Sequence, residues 1–442
     1  MREGDLRRKD ENDYRCEVIC CPHRPTTLAR LMPLPRIAPS STLSNVRYEI
    51  RGPLAKRALE LEKAGAEIIK LNIGNPGIFG FKAPESMRKA VIENLEQADA
   101  YSHQKGIFPA REAVVMQQQS RGVMDVTADD VFIGNGCSEL IIAALRGLLS
   151  PGDEVLVPSP DYPLWTASAN LAGGTAVHYP CPEANGFMPD TEALAALITP
   201  RTKALVVINP NNPTGAVYSR AVLTRLAELA EQHGLVVFSD EIYDQITYDG
   251  AEFVPMATLA RKTLCGTFGG LSKVYRACGW RVGWLSFSGP KDHARDYLQA
   301  LDLLSALRLC SNVPGQWAVQ TALGGHQSIY ELTKPGGRLY ETRKAVIAGL
   351  KASAYLDGVI PNGALYAFLR VKTELLGAAG ATFNDQQFAL DLLEKHNVLV
   401  TPGHGFNVPY KDHFRITLLP DERAMAEVFK RLETLLASYA GK

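Results

Sequence analysis

The chain has 442 residues, enough to bury a large core and to divide into two lobes. Lysine plus arginine and aspartate plus glutamate stand at 47 each, so no basic surplus points to nucleic acid or to an acidic membrane. The apolar runs fall short of membrane-spanning length, and the run 140–149 already contains Arg146.

Residues 1–13 are highly charged and show no basic-then-apolar leader, so the expectation is a cytoplasmic protein. The tract 1–44 differs from the rest. It carries Cys16, Cys20, Cys21 and His23, then Pro33, Pro35 and Pro39. Adjacent Cys20 and Cys21 are poor ligand spacing for zinc and no second pair follows, so we expect a disordered extension and no metal. Met32 stands just before folded patterning begins and is the expected natural start of translation. Cys137, Cys181, Cys265, Cys278 and Cys310 lie far apart in apolar or small-residue contexts and read as reduced thiols.

Residues 48–53 open an amphipathic helix with Leu54, Ala58, Leu59, Leu61 and Ala64 on one face and Gly65 as its stop. Residues 68–73 read as a short buried strand. It halts at Gly74-Asn75-Pro76, a turn where backbone can approach a ligand closely. From Pro84 to about residue 325, short apolar strands alternate with helices. The strands are expected at 131–134, 154–158, 175–179, 204–209, 235–240, 263–268 and 282–287. One intervening helix has Ser219 as N-cap, Val222, Leu223, Leu226 and Leu229 as core face, and Gly234 as stop.

This alternation predicts an α/β protein with a mostly parallel seven-stranded sheet covered on both faces. Ligands of such sheets bind beyond the carboxyl ends of the strands. The polar clusters fall there: Gly136-Cys137-Ser138, Asp161-Tyr162, the run 209–215, Asp240 and Lys273. Residues 45–83 are expected to join a small domain, 84–325 to form the large one, and 326–442 to form the small α+β domain. In the latter, 363–368 and 413–418 read as strands. A closing helix follows Asp421, with Met425, Val428, Phe429, Leu432, Leu435 and Leu436 on one face.

Lys273 stands in a run of small residues just past the 263–268 strand. A buried lysine is costly unless it is neutralised or put to use, and one use is Schiff-base chemistry with an aldehyde. The small neighbours leave room for a flat ring, and Arg281 could hold a phosphate through two parallel hydrogen bonds.

In this order the clusters closely resemble the class I and II aminotransferases, pyridoxal 5′-phosphate enzymes of the aspartate aminotransferase fold (fold type I). The resemblance runs from about Tyr48 to the C-terminus. The run 48–53, Leu71-Asn72-Ile73-Gly74-Asn75-Pro76, Pro160-Asp161-Tyr162-Pro163-Leu164-Trp165 and the run 209–215 look most like the bacterial alanine (glutamate–pyruvate) subgroup. The resemblance implies a homodimer with active sites at the subunit boundary, and the reaction L-alanine + 2-oxoglutarate = pyruvate + L-glutamate. The nearest rivals are a cysteine–sulfur β-lyase on the same cofactor and an aminotransferase of aromatic or branched specificity. A DNA-binding regulator needs a further module, for which 1–44 is too short and too proline-rich.

The same resemblance implies a role for each motif residue. Lys273 tethers the cofactor and acts as general acid/base. Asp240 stands against the pyridine nitrogen, where a charge pair at ~4 Å and an effective dielectric of ~20 is worth about 4 kcal/mol, or roughly 3 pKa units. Tyr243 donates to the cofactor 3-oxygen, Asn212 contacts that oxygen and the substrate carboxylate, and Tyr162 stacks on the ring. Ser272, Arg281 and the backbone of Gly136, Cys137 and Ser138 take the phosphate, and Tyr101 reaches the phosphate of the neighbouring subunit. Arg415 and Gly74 hold the substrate α-carboxylate. Tyr48 and Arg51 are expected to accommodate the γ-carboxylate of glutamate. Two positions depart from the general pattern: Arg276, where a small or aliphatic residue is usual, and Cys137 in the phosphate loop.

Overall fold

Seven strands build the large sheet: Val131–Gly134, Glu154–Ser159, Thr175–Pro180, Thr202–Ile208, Val236–Asp240, Cys265–Gly270 and Gly283–Ser288. This computed structural model describes residues 36–44, 46, 48 and 52–441. Counted in chain order, the strands lie side by side as 1-7-6-5-4-2-3. Only Gly283–Ser288 runs antiparallel to its neighbours; the remaining pairings are parallel. Near-continuous apolar strands need cover on both faces, and they have it. Val237 belongs to one buried cluster and its neighbour Phe238 to another on the opposite face.

Each of these strands lies within two residues of its expected position. The largest shift brings Gly269 and Gly270, poor strand formers, inside Cys265–Gly270. Their lack of a side chain is the reason. The Trp284 ring of the next strand covers Gly269, and the Val282 carbonyl approaches Gly270, so a Cβ at either position would collide.

A second, antiparallel sheet of four strands is ordered Thr401–Pro402, His413–Thr417, Tyr366–Val371, Leu356–Gly358. The strand expected from 363 starts only at Tyr366, because Ala364 takes a left-handed φ of 57°. The strand expected over 68–73 shrinks to Ile69–Lys70, half-buried and paired in parallel with Val398–Leu399.

The helix Arg220–His233 has the expected ends: Ser219 Oγ accepts from Val222 N at 3.3 Å, and Gly234 takes φ +64°. The closing helix Glu422–Tyr439 is capped by Asp421, and all six of its expected core residues are buried. The helix Pro53–Lys63 has a narrower apolar face than expected. Ala58 is buried, with Leu54 and Leu61 packed beside it against Leu393 and Leu399. Leu59 is 52% exposed, being one residue, or about 100°, round from Ala58. Residues 41–43, part of the tract expected to be disordered, form a 3-10 turn. The N-terminal cysteines, Met32 and Arg51 lie outside the described residues. Among the described residues no helix is long and apolar enough to cross a membrane.

Candidate active site

The carboxyl ends of the strands converge on a cleft of about 660 Å³. Gly134 ends its strand, and Gly136 turns the chain into the helix Cys137–Leu148. Asp240 is the last residue of its strand, and Gly270 releases the chain toward Lys273. Of the expected residues, Tyr48, Gly74, Cys137, Ser138, Tyr162, Asn212, Asp240, Tyr243, Ser272, Lys273, Arg281 and Arg415 all line this cleft. Gly136 is not among the lining residues but immediately precedes Cys137, against the Arg281 guanidinium. Tyr101 does not join them and is 79% exposed. A larger open groove of about 980 Å³, beside His178, Asp385 and His404, contains none of the expected residues.

Lys273 Nζ donates to the Gly74 carbonyl at 2.6 Å. Only glycine fits at 74, because a Cβ there would strike the Tyr366 hydroxyl. Asp240 is buried; its Oδ2 accepts from Trp165 Nε1 at 3.2 Å and its Oδ1 from Ile242 N at 3.4 Å. Burial pushes the Asp240 carboxyl up to about 6 against the opposing pull of these donors. It is therefore mostly ionised at neutral pH.

Arg415 is 1% exposed and, among the described residues, has no carboxylate partner. It donates to Asn212 Oδ1 at 2.8 Å and to the Asn72 carbonyl, while its Nε has no partner. The Tyr366 and Phe406 rings flank the guanidinium at 4.3 and 4.7 Å. Burial lowers its pKa. A buried cation without a counter-charge is costly, so among the described residues this end of the cleft is short of one anion.

At the other end, Arg281 donates to the carbonyls of Cys278 (2.9 Å) and Asn135 (3.2 Å). A Cβ on Gly136 would collide with that guanidinium, and one on Gly283 with the Cys137 backbone N. Glycines thus leave the start of the Cys137–Leu148 helix open to an anion, next to an arginine and the hydroxyls of Ser138 and Ser272. The Cys137 thiol turns away, donating to the Gly269 carbonyl at 2.9 Å, and burial pushes its pKa up. A cysteine in this loop costs nothing if its backbone N–H is what matters.

Arg276, the other departure from the usual pattern, takes a left-handed φ of 55° and donates to Lys82 O, Val274 O and Ser328 Oγ. It braces the lysine loop from outside the cleft. Tyr48 OH meets Tyr162 OH at 3.1 Å, and Tyr243 OH meets Tyr366 OH at 2.9 Å. The Asn212–Pro213 bond is cis.

Tyr366 and Trp165 were missed as site residues by sequence reasoning. Tyr366 sits in an apolar strand and Trp165 in an apolar helix, where an aromatic reads as core. Only the register that pairs Phe368 with Arg415 brings Tyr366 over the guanidinium.

The family model described as aminotransferase class I and II matches residues 66–432. A glutamate–pyruvate aminotransferase of Escherichia coli strain K12 is 50% identical over 384 residues, 87% of this chain and 94% of that one. An alanine aminotransferase of Mycobacterium tuberculosis strain H37Rv is 51% identical over 403 residues, 91% of this chain and 93% of that one. A crystal structure of an aminotransferase from Escherichia coli superposes with a TM-score of 0.89 at 48% identity, covering 92% of this chain and 99% of the other.

Proposed function

The chain belongs to the class I and II aminotransferases, and from that premise we propose that it moves an amino group between L-alanine and 2-oxoglutarate, giving pyruvate and L-glutamate. The names of its relatives in Escherichia coli and Mycobacterium tuberculosis support this substrate pair. The observation that carries the reading is Arg415, a buried cation with no carboxylate partner among the described residues, in the same cleft as Lys273 and Asp240. A substrate α-carboxylate supplies the missing anion, and a planar fork suits it better than a lysine would.

The residues also fit pyridoxal 5′-phosphate. The glycine-lined helix start, Arg281, Ser138 and Ser272 suit a phosphate dianion. Tyr162 offers a ring face, Tyr243 a phenol donor and Asp240 a buried carboxylate for a protonated ring nitrogen. Bound there, the cofactor supplies an aldehyde for amine exchange and a sink for the electron pair left when the substrate Cα–H bond breaks.

The chain's own residues do the rest. Arg415 and Asn212 grip the α-carboxylate, with the Gly74 backbone opposite, and fix which Cα bond faces the ring. Lys273 takes the Cα proton and holds it until it is returned. Asp240 keeps its negative charge in an apolar surround, where it favours a cationic ring. Closure of 326–442 over the bound carboxylate excludes water.

We further read 84–325 as the cofactor-binding domain, 45–83 with 326–442 as the smaller one, and 1–44 as an extension. The working unit is a homodimer in which Tyr101 reaches the phosphate of the neighbouring subunit. The five free thiols among the described residues suit a reducing, cytoplasmic setting.

The test is a half-reaction: the yellow enzyme is mixed with L-alanine and no oxo acid. Bleaching of the cofactor band with one pyruvate released per site supports the proposal. Conversion by another amino acid alone keeps the family and overturns the alanine assignment. Continuous release of pyruvate and ammonia from cysteine or cystathionine would establish a β-lyase instead.

A further inference from the structure

We propose that Trp165 is a positioning residue for Asp240: its indole N–H holds one carboxylate oxygen and keeps that group charged and aimed at the ring nitrogen of the cofactor. The proposal rests on the reading of Asp240 as the partner of that nitrogen.

Trp165 is fully buried in the helix Leu164–Leu171, which begins just after Tyr162. Its ring lies against Phe238 at 5.9 Å and 28°, and meets Phe268 edge-on at 5.2 Å and 87°. Both phenylalanines belong to the strand pair that carries the carboxylate. Phe238 precedes Asp240 by two residues and so shares its face, and Phe268 is its register partner on the next strand. The indole is therefore clamped by the same two strands that fix Asp240. Its single N–H reaches Oδ2 at 3.2 Å, while Oδ1 has only the longer contact from Ile242 N at 3.4 Å.

No described arginine, lysine or histidine forms an ion pair with Asp240. The carboxylate sits among apolar rings with one side-chain donor. Burial favours its neutral form, and the Trp165 N–H is the largest influence in the other direction. Packing alone would be served by a phenylalanine; a buried indole N–H needs a partner, and Asp240 is the one it has.

The test is the affinity of the full-length chain for pyridoxal 5′-phosphate, titrated from pH 5 to 8.5. Its acid limb reports the ionisation of Asp240 in the cofactor-free chain. In Trp165→Phe that limb moves up by about one pH unit, so affinity falls by about tenfold near pH 5 and about threefold near pH 6.5, and the loss vanishes toward pH 8.5. Trp165→His, which keeps a ring N–H, moves the limb back. In an Asp240→Asn background, Trp165→Phe produces no pH-dependent change.

A loss equal at every pH, or an acid limb unmoved in Trp165→Phe, would show a packing role only and overturn the proposal. If Trp165→Phe does not fold, a His variant with the wild-type limb still supports it, and a His variant with a displaced limb overturns it. Asp240→Asn binding the cofactor as tightly as wild type would instead overturn the reading of Asp240, and the proposal with it.

Discussion

Lys273 Nζ is hydrogen-bonded to the Gly74 carbonyl at 2.6 Å, joining two residues 199 positions apart in the chain. The contact ties the loop after the Cys265–Gly270 strand to the turn after Ile69–Lys70. It holds the amine in the cleft that Asp240 and Arg415 also line, and only a glycine at 74 leaves room beside Tyr366.

Replacing that amine is the most direct test of its role. Lys273→Ala should abolish borohydride-fixed attachment of the cofactor, read by intact mass. Loss of the general acid/base should lower kcat by about 10²–10⁴-fold. The fold should survive, because Lys273 is only half-buried. A variant that still fixes the cofactor covalently would assign the amine to another lysine.

Arg415 should matter through its shape as well as its charge. Arg415→Lys keeps the cation but loses the fork that meets both carboxylate oxygens. One charged hydrogen bond is worth roughly 2 kcal/mol, so kcat/KM for alanine should fall by about thirtyfold. Arg415→Met should lose activity further, yet raise the melting temperature of the ligand-free chain, since a buried cation without a carboxylate partner is removed. A destabilised Arg415→Met would show that Asn212, Tyr366 and Phe406 already compensate the charge.

The elements read correctly from sequence are those in which one signal dominates. Ser219, Gly234 and Asp421 mark helix ends because capping chemistry is local. Lys273 and Asp240 stood out only through the order of motifs that resembles the class I and II aminotransferases, and the fold brings both to one cleft. Tyr366 and Trp165 were not, because their roles come from tertiary register: Trp165 touches Asp240 across 75 positions and Tyr366 touches Tyr243 across 123. Ala364 and Leu59 misled for a related reason. A left-handed φ at a non-glycine residue, or the width of a helix face, is set by what packs there, and local sequence does not record it.

Two buried carboxyls make the ligand-free chain sensitive to pH. Burial raises Asp240 to about 6 and its neighbour Glu241 to about 7. A carboxyl whose folded-state pKa is raised favours folding in its protonated form. That stability is fully present below the unfolded value near 4 and is lost as pH rises through 6 to 7. Each group shifts by two units or more, so the loss is on the order of 3 kcal/mol per group. Urea unfolding of the cofactor-free chain should therefore show lower stability at pH 8 than at pH 5. Asp240→Asn and Glu241→Gln should each remove part of the step. A flat profile would mean that neither group is as desolvated as the geometry implies.

The two substrates differ in charge at the far end, and the enzyme must accept a methyl group and a γ-carboxylate in one place. Tyr48, 37% exposed with its hydroxyl 3.1 Å from that of Tyr162, lines the same cleft as Arg415, and in our reading it faces the far end of the substrate. Arg51, three residues on, supplies the matching positive charge in our reading. Arg51→Ala should then raise the KM for glutamate by about tenfold or more, with little change for alanine, because a hydrogen bond to a charged group is worth about 1.5–3 kcal/mol. Tyr48→Phe should weaken glutamate less, since it removes a neutral donor and leaves the ring. Steady-state kinetics in both directions separates the cases. Equal losses for the two amino acids would place Arg51 in the shared carboxylate machinery and leave the γ-carboxylate to another group.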